Sequence, residues 1–174
     1  MSLPSSVLEL ISAAPAVGFS GSRSFVPYSV ELVAAAVPAG ASVFVGCARG
    51  VDAAVRGFCP GARVFSASSF GVGRGSFAAR SVAVVRAVQS AGGVWVSFPS
   101  GSCPPGLAPS ASSSRAFSGS GSGSWASLAF AAGLGLPCLV WCFAPPVVWG
   151  FVSVGGGWWF RSAPVPAGVQ LSLF

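Results

Sequence analysis

Short apolar runs alternate along the chain with longer segments of helical spacing, and that alternation sets the first expectation. Five runs read as strands, at residues 16–20, 41–45, 63–66, 93–98 and 137–143. Most are rich in Val or Phe without strict apolar/polar alternation, as strands covered on both faces should be. Helix patterns lie between them at 27–37, 51–58, 76–90 and 124–133, after a leading turn at 5–11 that Ser5 or Ser6 could cap. The 76–90 segment is the clearest, with Phe77, Val84, Val85 and Val88 on one stripe and Arg80 and Arg86 off it. Strands separated by helices predict βαβ units. The expected class is α/β, a Rossmann-like three-layer α/β/α fold around a mostly parallel sheet of five strands or slightly more. Right-handed crossovers then bring the C-terminal strand ends and their loops to one edge of the sheet.

Two stretches break the pattern. At about 99–121 the chain turns to Ser, Gly and Pro for longer than a connection in a compact domain usually needs, which reads as a mobile flap or a disordered insert. Beyond 145 it becomes rich in Pro, Gly and Trp, with Trp158-Trp159-Phe160 as a candidate edge strand. The expected organisation is one Rossmann-like domain over 1–145 carrying a flexible insert at about 99–121, and a tail over 146–174 that packs on the domain or extends it. A length of 174 residues suits one such core.

Composition complicates this picture. Hydrophobic residues make up 53% and charged ones 7%, and a mean hydropathy of +0.77 raises the question of a membrane protein. The longest uncharged stretch, 116–160, is interrupted by Gly133, Gly135, Pro137, Pro145, Pro146 and Gly150, leaving pieces that suit a short helix and a buried strand. No membrane span is expected. Glu9 interrupts the N-terminal apolar segment and no basic region precedes it, so a secretory signal is not expected and a cytoplasmic location is the default. Lys, Asn, Thr and His are absent, and Met, Ile, Tyr and Asp occur once each. Their codons all carry adenine at the first or second position, which points to an adenine-poor coding strand that exchanged Asn for Ser, Ile for Val and Lys for Arg. High hydropathy is partly a by-product of that bias.

The five cysteines form no C-x-x-C pair and there is no histidine, so no metal site is expected, and the odd number speaks against a disulfide framework. They read as small buried hydrophobes, with Cys47 alone inside a candidate site.

Three segments could hold an anion. In the first, Gly18-Phe19-Ser20-Gly21-Ser22-Arg23, Gly21 permits close backbone approach, Ser20 and Ser22 offer hydroxyls and Arg23 a planar fork. A tight turn with a solvated arginine would look the same. The second runs from Gly46 through Cys47, Ala48, Arg49 and Gly50 to Val51 and Asp52, where a strand ending meets a helix start; backbone N–H groups and a dipole end gather there with an arginine among them. Asp52 suits a helix N-terminus and could pair with Arg56 one turn on, or else orient Arg49 or contact a ligand hydroxyl. The third, Ser120-Gly121-Ser122-Gly123-Ser124-Trp125-Ala126-Ser127, leads from an irregular loop into a helix. Residues 119–121 read as linker and Gly123 and Ser124 as site.

Gly21-Ser22-Arg23, then Gly46-Cys47-Ala48-Arg49-Gly50-Val51-Asp52, then Arg80-Ser81, then Ser122-Gly123-Ser124-Trp125 together resemble the DprA/Smf family of DNA-processing proteins and the wider SLOG superfamily, over about residues 16–141. Family motifs at these places are a G-S-R turn, a G-x-A-R-G-x-D loop, an R-N pair opening a helix, and S-G-S-L before the last core helix. This chain has Ser81 where the family has Asn, the exchange that adenine loss predicts. The resemblance implies a phosphate-binding set of Gly21, Ser22, Arg23, Gly46, Arg49, Gly50, Asp52, Arg80, Ser122, Gly123 and Ser124, with no cofactor and no catalytic residue.

A net charge of +6, carried by nine arginines, agrees with a nucleic-acid partner, although loss of acidic codons raises it too. Arg23, Arg49, Arg74 and Arg80 fall near the expected loop edge, and Phe19, Phe70 and Trp125 are candidate stacking surfaces. The leading reading is a binding module for a nucleotide-type ligand or single-stranded DNA, with homo-oligomerisation left open. The alternative is a phosphoribohydrolase acting on a nucleoside monophosphate, a branch of the same superfamily with a G-G-x-G-T-x-x-E motif. Its glutamate would fall at Ser127, and serine cannot supply the carboxylate's chemistry. Without histidine no Ser-His triad can form either.

Overall fold

A computed structural model describes residues 2–119 and 121–164. Each strand signal becomes a strand and each helix signal a helix: α1 (Ser5–Ala13), β1 (Ala16–Gly21), α2 (Ser29–Ala36), β2 (Ser42–Gly46), α3 (Val51–Phe58), β3 (Arg63–Phe65), α4 (Arg74–Ser90), β4 (Val94–Phe98), α6 (Gly123–Gly133) and β5 (Cys138–Trp141), with a one-turn α5 (Ser113–Ala116) before α6. A hairpin of β6 (Val152–Gly155) and β7 (Trp158–Arg161) follows.

The sheet has seven strands in the order β3-β2-β1-β4-β5-β7-β6. The first five in that order are parallel, and β7 joins β5 antiparallel. Two of the expectations need correction here. Trp158-Trp159-Phe160 is not the sheet edge, because β6 folds back on β7 and becomes the edge itself. The described part of the 99–121 segment, expected as a mobile flap or a disordered insert, is also tied to the core. Ser110 N–H donates to Ala129 O (3.1 Å), the Trp125 indole N–H donates to Gly101 O (2.8 Å), and Leu107 and Ala116 pack on the core. Small Ser and Gly side chains conceal this anchoring in the sequence.

Strand side chains alternate between two apolar layers, as the pleat requires. Val17, Phe19, Val43, Val45, Val94 and Val96 face α1, α2 and α3. Phe44, Trp95, Cys138 and Val140 face α4, α5 and α6. Gly18 is the small residue that admits Trp95 to its layer: a Cβ there would overlap Val88 and come within 2.7 Å of the indole. No helix among the described residues is long and apolar enough to cross a membrane.

The chain steps from β3 across to β4, on the far side of β1, so the connections after β1 and β4 leave the sheet in opposite directions. Open α/β sheets form their ligand crevice at that switch point, outside the carboxyl ends of the strands.

Candidate functional site

A cleft of about 420 Å³ opens at this switch point. Its walls are the turn after β1 (Ser20 to Ser24), Gly46 and Ala48 after β2, Asp52 on α3, Arg80 and Ser81 on α4, Ser100 after β4, and the start of α6. Three motifs far apart in sequence therefore share one cavity, as expected of loops gathered at a single sheet edge.

Arg80 is the central side chain, 7% exposed. The expectation that it lies off the buried stripe of α4 is wrong, and Phe77, placed on that stripe, is 42% exposed. The first turns of α4 overhang the end of β2 instead of the sheet, so the inward position there meets polar groups. One guanidinium nitrogen of Arg80 lies 3.7 Å from Asp52 Oδ2 and donates to Cys47 Sγ (3.6 Å), while the other donates to Ser81 Oγ (3.3 Å). Among the described residues its buried Nε has no partner. Gly46 makes room for the pair, since a Cβ there would stand 2.5 Å from Asp52 Oδ2 and 2.9 Å from the guanidinium carbon.

Asp52 orients Arg80 and not Arg49, and it accepts a hydrogen bond from Ala48 N–H (3.1 Å). Burial pushes its carboxyl above the ordinary 3.8, against the opposing pull of Arg80, the Ala48 N–H, Arg56 and Arg23. Arg56 does not pair with it in a helical salt bridge; its guanidinium donates to Gly46 O (2.9 Å) and Ala48 O (3.0 Å), locking the loop. Burial alone would raise the Cys47 thiol, but the Ala67 N–H and the Arg80 guanidinium outweigh it and leave the thiol below its ordinary value.

Asp52 and Arg56 thus hold the Gly46–Ala48 part of the loop from α3. Val51 N–H donates to Ser22 O (2.9 Å), so the first amide of α3 is spent on the neighbouring turn. Gly50 has φ +74°, and a Cβ there would overlap Ser22 O, which makes it a stitch between two turns. Neither Gly50 nor Arg49 lines the cleft, and Arg49 is exposed outside it. The reason is the direction of the loop, which turns its carbonyls toward Arg56 and its arginine toward solvent.

The first turn is similarly engaged. Ser22 Oγ accepts from Ser24 N–H (3.1 Å) and Phe25 N–H (3.0 Å), holding the turn after β1. Ser20 Oγ lies 3.1 Å from Ser97 Oγ in the cleft floor. Arg23 is exposed and rests on the Phe77 ring, 5.1 Å from its centroid, with its charge over the cleft mouth.

The start of α6 is open by contrast. Ser122 provides no side-chain cap, and Ser122, Gly123 and Ser124 line the cleft, so the first-turn N–H groups and the positive end of the dipole are presented there. Ser122 Oγ and Ser124 Oγ lie 2.6 Å apart. The Ser127 hydroxyl donates back to Gly123 O (2.7 Å) and is tied to its own helix. Ser120, part of the third candidate segment, and residues 165–174 of the tail lie outside the described residues.

Of the sequence-predicted set, Gly21, Ser22, Arg23, Gly46, Asp52, Arg80, Ser122, Gly123 and Ser124 meet at the cleft. Arg74 lines an adjoining hollow shared with Arg23 and Arg80. Phe19 and Trp125 are core residues, 1% and 0% exposed, and offer no stacking face. Phe70 lies in the short turn before α4 at 38% exposure. All five cysteines are free; Cys138 and Cys142 are buried, whereas Cys47, Cys59 and Cys103 are half-buried. Among the described residues no group of His, Cys, Asp or Glu could hold a metal ion.

Fold and site together define a Rossmann-like α/β domain with an arginine-bearing cleft at the carboxyl edge of its parallel strands. No protein-family model, no curated protein and no solved structure matches the chain.

Proposed function

We propose that this chain is a nucleotide or nucleic-acid binding module of the DprA/Smf kind, which holds a phosphate of a nucleotide or of single-stranded DNA between Arg80 and the start of α6. The observation that carries the reading is the buried Arg80, whose Nε lacks a partner among the described residues, beside a helix start that Ser122 does not cap with its side chain. An arginine in that state costs free energy unless an anion completes it. Arg23 at the mouth adds a second positive charge, and backbone amides of a helix start suit phosphate oxygens. The phosphoribohydrolase alternative draws no support from the site, because Ser127 stands where its glutamate would be and its hydroxyl is committed to Gly123 O.

Two variants test the reading. Arg80→Gln removes the charge while keeping part of the side chain, and Gly123→Asp places a carboxylate at the helix start, where a Cβ meets nothing within 4 Å and a negative charge favours the helix. Binding of thymidine 5′-monophosphate by calorimetry and of fluorescein-labelled single-stranded DNA by anisotropy should weaken at least about tenfold in both variants, since charge-assisted contacts contribute about 1.5–3 kcal/mol. Wild-type DNA affinity should also fall as salt rises. Affinities within twofold of wild type in both folded variants overturn the assignment.

A further inference from the structure

The sulfur of Cys47, just after β2, is placed differently from those of Cys103 and Cys138. Ala67 N–H donates to it at 3.2 Å and the Arg80 guanidinium at 3.6 Å. The Cys103 and Cys138 thiols instead donate to carbonyls, Pro104 O at 3.7 Å and Leu136 O at 3.3 Å, which requires them to keep the proton. A sulfur that receives an amide and a guanidinium has the surroundings that favour a thiolate, and Cys47 is half-buried, open enough for a small reagent. Burial pulls the Cys47 thiol upward, yet these donors bring it below its ordinary 9.0, whereas burial leaves Cys59 and Cys103 above theirs.

The same guanidinium belongs to the cleft. The Arg80 side chain is 9% exposed, and its Nε has no partner among the described residues. Asp52 Oδ2, at 3.7 Å, shares the nitrogen that meets the sulfur. Cys47 itself does not line the cleft. A phosphate inside the cleft and a negative sulfur outside it would therefore draw on one buried cation, each weakening the other's hold. Such coupling is reciprocal in binding free energy.

We infer that Cys47 is an oxidation site coupled to the anion cleft through Arg80: hydrogen peroxide oxidises it while the cleft is empty, and a bound phosphate protects it. The thiol gives its proton to water, and the thiolate sulfur attacks one peroxide oxygen. An S–O bond forms as the O–O bond breaks, and the departing hydroxide takes up a proton. Sulfur is oxidised by two electrons to the sulfenic acid, and the peroxide is reduced to water. The protection rests on the phosphate reading of the cleft; the reactivity of the free thiol does not.

The test treats the full chain with hydrogen peroxide and dimedone and quantifies adducts at Cys47, Cys59 and Cys103 by peptide mass spectrometry. Cys47 should be labelled at least about tenfold faster than the other two, and Arg80→Gln should slow it at least about fivefold, because the thiolate is the reactive form. Saturating thymidine 5′-monophosphate should slow wild-type Cys47 at least about fivefold and leave Cys59 within about twofold. Cys47 labelled no faster than Cys59 overturns the oxidation site, a result that needs no variant to fold. If calorimetry shows the monophosphate bound while Cys47 reacts at its free rate, or if labelling is unchanged in folded Arg80→Gln, the coupling is overturned and the phosphate reading stands. If the monophosphate does not bind, the phosphate reading and the coupling fail together, and the three cysteines of the free chain still decide the oxidation site.

Discussion

A single carboxylate decides how the cleft responds to pH. Asp52 lies 3.7 Å from the Arg80 guanidinium, too far for a tight charge-assisted bond, and its burial outweighs that attraction. The folded chain therefore holds the Asp52 proton more tightly than the unfolded chain does. Stability from this group is fully present below about pH 3.8 and is lost as pH rises through the higher folded value. Urea unfolding of wild type and Asp52→Asn between pH 4 and 7 should show the wild type gaining relative to the variant as pH falls. A constant difference across that range would refute the burial-dominated carboxylate. Arg80 shows the same balance from the other side: its position was legible as an arginine on a helix, but its burial was not. That burial depends on Gly46 leaving space and on Asp52 arriving from another helix, neither of which periodicity reveals.

At the scale of elements, the turn after β1 and the start of α3 behave as one unit. Gly50 takes a positive φ that only glycine adopts at low cost, and its missing side chain lets Ser22 O receive the Val51 amide. Gly50→Ala should lower stability by about 2 kcal/mol or more, since strain of about 1–3 kcal/mol adds to a lost backbone contact. Chemical denaturation measures it, and a loss under about 0.5 kcal/mol would contradict the stitch. The elements themselves were readable because Val and Phe runs alternate with helical spacing, and the observed boundaries of α3 are those read from residues 51–58. What stayed hidden was tertiary in origin. Whether a glycine loop faces a ligand or its neighbour depends on where its amides point. Thus Arg49 and Gly50, the most suggestive residues of the sequence, fall outside the cleft.

For the molecule as a whole, the β6–β7 hairpin and the turn leading into it complete both apolar layers. Trp158 is 2% exposed on the α1–α3 side, edge-on to Phe98 at 5.4 Å, while Trp149 and Phe151 close the α4–α6 side. Arg161 ties the hairpin to the domain by donating to Trp149 O and Ala132 O, each at 2.9 Å. Trp158→Ala should cost about 3–5 kcal/mol, the range for a large aromatic removed from a core. Against a typical stability of about 5–15 kcal/mol that is a large share, visible as a lower urea midpoint. A midpoint unchanged from wild type would make the hairpin an appendage. Within the described residues the chain beyond 145 adds two strands to the sheet, where the sequence suggested one.

The bond from Val51 N–H to Ser22 O also bears on how a ligand would be received. With Arg56 fixing one loop, Ser22 fixing the other and this bond joining them, half of the cleft is already in its final shape. Little conformational entropy remains to be lost there on binding. On the phosphate reading proposed above, selectivity among esters would belong to this rigid half.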